Sequence, residues 1–120
     1  MLTTQIAEGI HWVGYVDWKI RDFHSYDTHQ GTTYNAYLVL DEQPALIDVV
    51  KPPHGSALLR AVGSLIDPAQ VRYVVCNHAE VDHSGSLPEV LHRMPNATLL
   101  CNKKCAAALA MHFDTGGGEI

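Results

Sequence analysis

The stretch Cys76–Gly85 reads CNHAEVDHSG and directly follows the apolar run VRYVV at Val71–Val75. An almost continuous apolar run of this kind predicts a strand that is buried on both faces. His78 and Glu80 are two residues apart, so an extended backbone would turn their side chains to the same side. Open α/β sheets place their sites at the carboxyl ends of strands. We therefore expect a site where this strand ends.

Metal-binding side chains are concentrated in this stretch. Asp82 and His83 are adjacent and lie where the chain must turn before a helix that we predict to begin near Ser86. Imidazole and carboxylate ligands suit iron, manganese or zinc, and the absence of a thiolate argues against a closed structural zinc site. The pattern predicts a metal site whose candidate ligands are His78, Glu80, Asp82 and His83.

Hydrophobic periodicity and turn residues predict a mixed α/β fold in which helices stack on a sheet. Segment 6–16 is predicted as two short strands broken at Glu8-Gly9, and segment 18–33 as a loop. The further predicted strands are Tyr34–Leu40, Ala45–Val50, Val71–Cys76 and Ala97–Cys101. The predicted helices are Gly55–Leu65, a helix that begins at the capping box Ser86–Glu89 and ends at Arg93, and Lys103–His112 with Asn102 as its N-cap.

The composition excludes several classes of partner. The 120 residues include 8 Lys and Arg against 13 Asp and Glu, for a net charge of -5. This balance argues against binding to nucleic acid or to an anionic membrane surface, since both need a basic patch. No apolar run is long enough to span a membrane, and the amino terminus MLTTQIAEGI lacks a signal-peptide core. We therefore predict one cytoplasmic domain with no nucleic-acid or membrane partner.

The three cysteines, Cys76, Cys101 and Cys105, are an odd number and a poor disulfide framework. We interpret them as small buried apolar residues in a reducing compartment. The spacing of Cys101 and Cys105 leaves open a second interpretation, in which these two thiols form half of a metal site.

The motif HAEVDH at His78–His83 resembles the H-x-[E/H]-x-D-H signature of the metallo-β-lactamase superfamily, and its glutamate variant is typical of the flavodiiron proteins. The runs IHWVGYVDWKIRDFHSY, GTTYNAYLV and ALIDVV are similar to the amino-terminal part of that family's diiron domain. The resemblance implies that residues 1–120 are the amino-terminal portion of this domain. That portion is half of a metallo-β-lactamase-like αβ/βα sandwich, a mixed sheet with helices on one face.

The resemblance also implies a division of the ligands between two metals. His78 and Glu80 would bind one iron, and Asp82 and His83 would bind the second. The anionic oxygen of Glu80 stands where the hydrolases have a histidine, and it favours a redox iron, with zinc as a substitute. In the family a further His, a bridging Asp and a last His come from later segments. The sequence does not contain these, so we expect a truncated chain and an incomplete site.

Three residues outside the motif receive roles from the same resemblance. Asp48 ends the run LIDVV and would orient the ligand loop without touching the metal. His24 and Tyr26 would line the pocket and donate hydrogen bonds to a bound diatomic molecule.

The implied activity is that of an oxidoreductase. Full-length relatives would reduce dioxygen to water or nitric oxide to nitrous oxide, with electrons passing from a rubredoxin-like donor through FMN in a flavodoxin-like domain. Two alternatives remain open, namely a zinc-dependent hydrolase of the superfamily and a non-catalytic metal-binding fragment. Strands such as VRYVVC at 71–76 are apolar on both faces, and helices can cover only one side. We therefore expect a homodimer in which a second copy covers the other side.

Overall fold

The computed structural model describes residues 3–17, 22–23, 26–27, 32–78, 80 and 84–112. The strands are β1 (Thr4–Ala7), β2 (Ile10–Trp12), β3 (Tyr15–Asp17), β4 (Asp22–Phe23), β5 (Tyr26–Asp27), β6 (Thr32–Tyr34), β7 (Tyr37–Val39), β8 (Ala45–Ile47), β9 (Tyr73–Val75) and β10 (Thr98–Leu100). The helices are α1 (Gly55–Gly63), α2 (Leu87–Arg93) and α3 (Lys103–His112), with a 3-10 turn at Pro68–Gln70. No helix among these residues is long and apolar enough to cross a membrane.

The main sheet has six strands in the order β1-β2-β7-β8-β9-β10. Within this sheet, β1, β2, β7 and β8 pair antiparallel in that order, whereas β8, β9 and β10 run parallel. Parallel neighbours need a crossover connection, and α1 and α2 provide one each because they lie between β8 and β9 and between β9 and β10. The carboxyl ends of these three strands consequently meet at one edge of the sheet.

The two faces of this sheet are packed differently. The middle residues of four neighbouring strands are 0–2% exposed and belong to one core cluster with residues of all three helices; they are Leu38, Leu46, Val74 and Leu99. Their strand neighbours point to the opposite face, where Tyr37, Ile47 and Val75 are half-buried and Leu100 is 37% exposed. The mixed sheet with helices on one face is confirmed.

Several predicted boundaries were wrong. The predicted strand Tyr34–Leu40 is interrupted at Asn35-Ala36, because β6 pairs with β3 in a small separate sheet while β7 joins the main sheet. Trp12 fixes this break by donating its indole N–H to Asn35 Oδ1 at 3.1 Å. The predicted loop 18–33 contains β4 and β5, which pair with each other, and the start of β6. Segment 6–16 contributes to three strands, since the chain leaves β2 and begins β3 before Asp17.

The predicted helix boundaries were partly correct. The bounds of α3 are as predicted, and Asn102 caps it by accepting the backbone N–H of Cys105 at 2.7 Å. Helix α2 begins after Ser86 and ends at Arg93 as predicted, but the Ser86 side chain makes no capping hydrogen bond. Its hydroxyl accepts the N–H of Val50 at 3.3 Å, so the predicted capping box is absent. Helix α1 ends at Gly63, two residues before the predicted Leu65.

Candidate metal centre

A carboxylate from the end of β8 holds the chain that leaves β9. Asp48 is 9% exposed and has a φ of 63°, a left-handed conformation that Asp adopts more readily than most residues. Its N–H donates to the carbonyl of Val75 at 2.7 Å. Its Oδ1 accepts the backbone N–H of Asn77 at 2.8 Å, and Oδ2 lies 3.4 Å from the side-chain Nδ2 of Asn77. The residue directly before His78 is therefore fixed by Asp48.

Two of the predicted ligands lie side by side. His78 Nε2 is 3.0 Å from Glu80 Oε1, and their side chains are 53% and 45% exposed. This separation is that of an N–H···O hydrogen bond, and two donor atoms that each lie about 2.1 Å from one metal ion are at a similar distance, about 3 to 3.5 Å, from each other. His78 Nδ1 accepts the backbone N–H of Glu80 at 3.1 Å, which turns the ring toward the carboxylate. The spacing of this nitrogen and this oxygen fits a single metal ion.

The other predicted site residues are not tested by the structure. Asp82, His83 and His24 lie outside the described residues, and for Tyr26 only the backbone, in β5, is described. Within the described part of the chain, no three His, Cys, Asp or Glu side chains converge on a common metal position. The structure thus brings together His78, Glu80 and, through Asn77, Asp48.

We call residues 77–86, which include the candidate ligands, the ligand segment. Its carboxyl end is held by two serines that the sequence reasoning missed as site residues. The carbonyl of Glu80 accepts both the backbone N–H of Ser84, at 2.9 Å, and its hydroxyl, at 3.0 Å. Ser84 is 1% exposed and Ser86 is 3% exposed. A serine four residues after a ligand is a local signal for such a bond. The contact of Ser86 with Val50 spans 36 residues, so no local pattern predicts it.

Thiols pack beneath the ligand segment. Cys76 Sγ donates to the carbonyl of His78 at 3.1 Å and lies 3.9 Å from Cys105 Sγ. Burial, with a smaller contribution from Cys105, raises the pKa of Cys76 to about 12, and burial also raises the pKa of Cys101. All three cysteines are free, with Cys76 and Cys105 buried and Cys101 half-buried. The prediction of small buried residues holds for Cys76 and Cys105.

A cavity of about 360 Å³ opens beside the candidate ligands. It is lined by Asn77, His78, Asn102, Lys104, Cys105 and Ala108. A larger cavity of about 630 Å³ lies at the opposite end of the strands, beside Asp41, Glu42 and Arg72, and the described residues that line it include no His or Cys. The smaller cavity is the relevant one, because it contains His78.

The fold is that of the beta-lactamase class. The family model described as "ODP family beta lactamase" matches residues 32–119. This match covers most of the chain, and the chain belongs to that family.

Individual relatives narrow the comparison to flavodiiron proteins. The nitric oxide reductase of Moorella thermoacetica is 43% identical over 110 residues, which are 90% of this chain and 28% of that protein. The flavodiiron protein of Giardia intestinalis has a TM-score of 0.90 at 40% identity, over 94% of this chain and 28% of that one. The rubredoxin oxygen:oxidoreductase of Desulfovibrio gigas has a TM-score of 0.88 at 39% identity, over 94% and 29%. The resemblance predicted from the motif is confirmed, and the chain spans less than a third of each of these relatives.

Proposed function

We propose that this chain is the amino-terminal part of the diiron domain of an oxidoreductase that reduces dioxygen to water or nitric oxide to nitrous oxide. The observation that carries the proposal is the 3.0 Å spacing of His78 Nε2 and Glu80 Oε1. This pair of donors occurs in a chain similar to a nitric oxide reductase and to a rubredoxin oxygen:oxidoreductase. In this proposal a rubredoxin-like donor supplies electrons through FMN, which the rest of the polypeptide would bind.

Each site residue has one task in the proposed site. Iron supplies the redox chemistry and a position for the diatomic substrate. His78 and Glu80 bind the first iron, and Asp82 and His83 bind the second. The remaining residues act around these ligands: Asp48 holds the backbone of Asn77 in place, and His24 and Tyr26 line the substrate pocket.

The hydrogen bonds of His78 indicate which ring nitrogen carries its proton. Because Nδ1 accepts the N–H of Glu80, the proton of the neutral imidazole is on Nε2 and faces the Glu80 carboxylate. Binding of a metal at Nε2 would require that proton on Nδ1, which could then no longer accept from Glu80. We therefore expect the backbone at Glu80 to turn when the metal is loaded.

Metal binding by the 120-residue chain tests the ligand assignment. We expect weak binding of Fe²⁺ or Zn²⁺, since affinity depends on the number of ligands and on the groups that support them. Glu80→Ala and His83→Ala should each reduce the bound metal measured after anaerobic dialysis. His92→Ala, which removes an exposed histidine of α2, is the matched control and should bind as the unmodified chain does. Tight stoichiometric binding that survives both ligand substitutions would contradict the assignment.

Gas consumption tests the reaction. With reduced rubredoxin as donor, the 120-residue chain supplied with iron and free FMN should consume neither dioxygen nor nitric oxide above a blank without protein. A polypeptide that joins this sequence to the further ligands and an FMN domain should consume one or both, and Glu80→Ala should abolish this. Zinc-dependent hydrolysis of a lactam or thioester, without gas consumption, would support the hydrolase alternative instead.

We also propose that the chain forms a homodimer through the sheet face opposite the helices. On this face the paired residues Tyr37, Ile47, Val75 and Leu100 form one row across four strands. Leu100 is 37% exposed, and covering such a row with a second copy would remove apolar area from water. Light scattering coupled to size exclusion should give a dimer that Leu100→Glu converts to a monomer. Met111→Glu, at a residue of α3 that is 84% exposed, should leave the dimer intact. A monomeric unmodified chain at tens of micromolar would refute the dimer.

A cytoplasmic location completes the proposal. All three cysteines are free, although Cys76 and Cys105 lie 3.9 Å apart at their sulfur atoms. A reducing compartment keeps such thiols from pairing.

A further inference from the structure

The segment that bears the candidate ligands is attached to the protein at both of its ends. At the start, the backbone N–H of Asn77 is bound by Asp48. At its carboxyl end, Ser86 forms two hydrogen bonds with Val50. The Ser86 N–H donates to the Val50 carbonyl at 3.1 Å, and the Ser86 hydroxyl accepts the Val50 N–H at 3.3 Å. Both attachments are therefore made to the same three-residue turn, 48–50.

This turn is a rigid reference point for the segment. Val49 and Val50 are 0% exposed and Asp48 is 9% exposed, and the backbone of Asp48 is further fixed to β9 through Val75. In contrast, the ligands His78 and Glu80 are exposed. The exposed ligands thus lie between two attachments, of which the one at Ser86 is buried and the one at Asn77 is part-buried, and the distance between those attachments is set by one short turn.

The hydroxyl of Ser86 forms its hydrogen bond with Val50 and not with its own helix. Ser86 is at the N-cap position of α2, where a serine side chain ordinarily accepts an N–H of its own helix, yet no such bond is present. The hydroxyl instead satisfies the Val50 N–H, whose residue has no exposure to water. A buried N–H without a partner is unfavourable. Loss of the hydroxyl would therefore shift the turn, the start of α2, or both.

We infer that Ser86 is a positioning residue for the metal ligands, because it fixes the carboxyl end of the ligand segment to the turn that Asp48 uses to fix the amino end. This inference rests on the proposed metal site. In this role Ser86 acts through its hydrogen bonds to Val50 and so through the backbone that carries the ligands. Residues that support metal ligands typically change metal affinity by about 10- to 100-fold when they are removed.

Cobalt(II) binding by the full 120-residue chain tests the inference, because Co²⁺ reports both affinity and ligand geometry through its visible absorption. We expect Ser86→Ala to weaken Co²⁺ binding about tenfold and to change the absorption spectrum of the bound ion. The matched control is Ser64→Ala, which removes another serine hydroxyl whose hydrogen bond, to the Ala61 carbonyl at 2.7 Å, lies at the end of α1. Ser64→Ala should leave affinity and spectrum unchanged.

The outcomes separate positioning from simple stabilisation. If Ser86→Ala lowers the thermal unfolding midpoint but keeps the Co²⁺ affinity and spectrum of the unmodified chain, Ser86 is structural only and the inference is overturned. If Ser86→Ala does not fold, Ser86→Cys, which keeps the size but weakens the acceptor, is judged by the same two readouts. If the unmodified chain gives no Co²⁺ binding that Glu80→Ala abolishes, the proposed metal site itself fails, and the inference fails with it.

A double substitution gives a second, independent readout. Asp48→Asn and Ser86→Ala act at opposite ends of one turn, so their effects on Co²⁺ affinity should not multiply. A combined loss smaller than the product of the two single losses supports a shared turn. A combined loss equal to the product would show that Ser86 acts separately from Asp48 and would overturn the inference.

Discussion

Strands β9 and β10 are parallel neighbours that are followed by the same dipeptide, yet the chain continues differently after each dipeptide. Cys76-Asn77 follows β9 and Cys101-Asn102 follows β10. After β10, Asn102 accepts an N–H from the first turn of α3, and the helix begins at once. After β9, the backbone N–H of Asn77 donates to Asp48, and the candidate ligands follow before α2 begins at Leu87.

The neighbouring strand accounts for the difference. β9 lies between β8 and β10, so the carboxylate of Asp48, just after β8, can reach Asn77. In the described sheet β10 is an edge strand, and the side chain of Asn102 is available to cap a helix. An Asn after a strand can therefore begin a helix or a ligand segment, depending on whether a carboxylate from the next strand binds it.

Asp48→Ala should have the largest effect on the difference between the segment that follows β9 and the segment that follows β10. It removes the carboxylate that binds Asn77 and places Ala at a φ of 63°. A hydrogen bond to a charged group and a left-handed Ala together amount to about 3 to 5 kcal/mol of unfolding free energy. Urea unfolding should measure this loss, and metal affinity should fall at least about tenfold. Asp48→Asn, which tolerates this φ and keeps an acceptor, should lose less stability. Equal losses for the two variants would contradict the assigned role of the carboxylate.

The thiols of the two dipeptides should differ in alkaline solution. Burial raises the pKa of Cys76 to about 12 in the folded chain, against an ordinary value of 9.0, so between these pH values the unfolded chain releases a proton that the folded chain retains. Stability is therefore full below about pH 9 and falls as the pH rises toward 12. At pH 10 this amounts to about 1 kcal/mol. Metal-free unfolding measured from pH 7 to 10.5 should decline less steeply for Cys76→Ala than for the unmodified chain.

Cys101→Ala is the comparison variant for that measurement. Cys101 is half-buried and its pKa is also raised, so its removal should flatten the decline less than Cys76→Ala does. A decline of unchanged slope in Cys76→Ala would mean that this thiol is not protected from ionisation in the folded chain.

Asn102→Ala should affect stability without affecting the metal site. It removes the acceptor for the Cys105 N–H, and loss of an N-cap typically lowers the unfolding free energy by about 1 kcal/mol. Asn102→Asp keeps the cap and should retain most of that stability. Metal affinity should remain that of the unmodified chain in Asn102→Ala; it is compared in that variant only, because Asn102 lines the cavity beside His78 and the carboxylate of Asn102→Asp could itself bind the metal. A fall in affinity would mean that the end of β10 also positions the ligands.

The elements that the sequence predicted correctly are those set by neighbours in the chain. Asn102 caps α3 from the adjacent position in the chain, and the apolar run around Val74 defines β9. The errors arise where a distant partner decides. Ser86 has a local capping pattern, but Val50 binds its hydroxyl. The interruption at Asn35-Ala36 depends on β3 pairing with β6 and β2 with β7.

In the candidate site, too, the features set by sequence neighbours were predicted and those set by distant residues were not. Spacing predicted that His78 and Glu80 share a side, and their donor atoms lie 3.0 Å apart. The expectation that Asp48 orients the ligand loop came from the family resemblance, and no local signal predicted its contact with Asn77, 29 residues away. The roles of Asp82, His83, His24 and Tyr26 remain predictions.

Asn77→Ala should have the smallest effect, and it identifies which part of Asn77 matters. The backbone N–H of Asn77 is 2.8 Å from the carboxylate, whereas the side-chain amide is 3.4 Å away and exposed. Only the first distance is that of a strong hydrogen bond, and alanine keeps it. We therefore expect a loss of only a few tenths of a kcal/mol, since exposed substitutions away from special features are usually that small.

Metal affinity should change by less than about threefold in Asn77→Ala, because the same few tenths of a kcal/mol are at stake. Calorimetric titration with Zn²⁺, run beside Asp48→Ala, measures the difference. If Asn77→Ala weakened binding as much as Asp48→Ala does, the amide side chain would be the element that Asp48 uses to hold the ligand segment. The different courses of the chain after Cys76-Asn77 and after Cys101-Asn102 would then depend on the asparagine side chains alone. If it does not, the carboxylate of β8 and the backbone of Asn77 suffice to convert a helix-starting dipeptide into the start of a ligand segment.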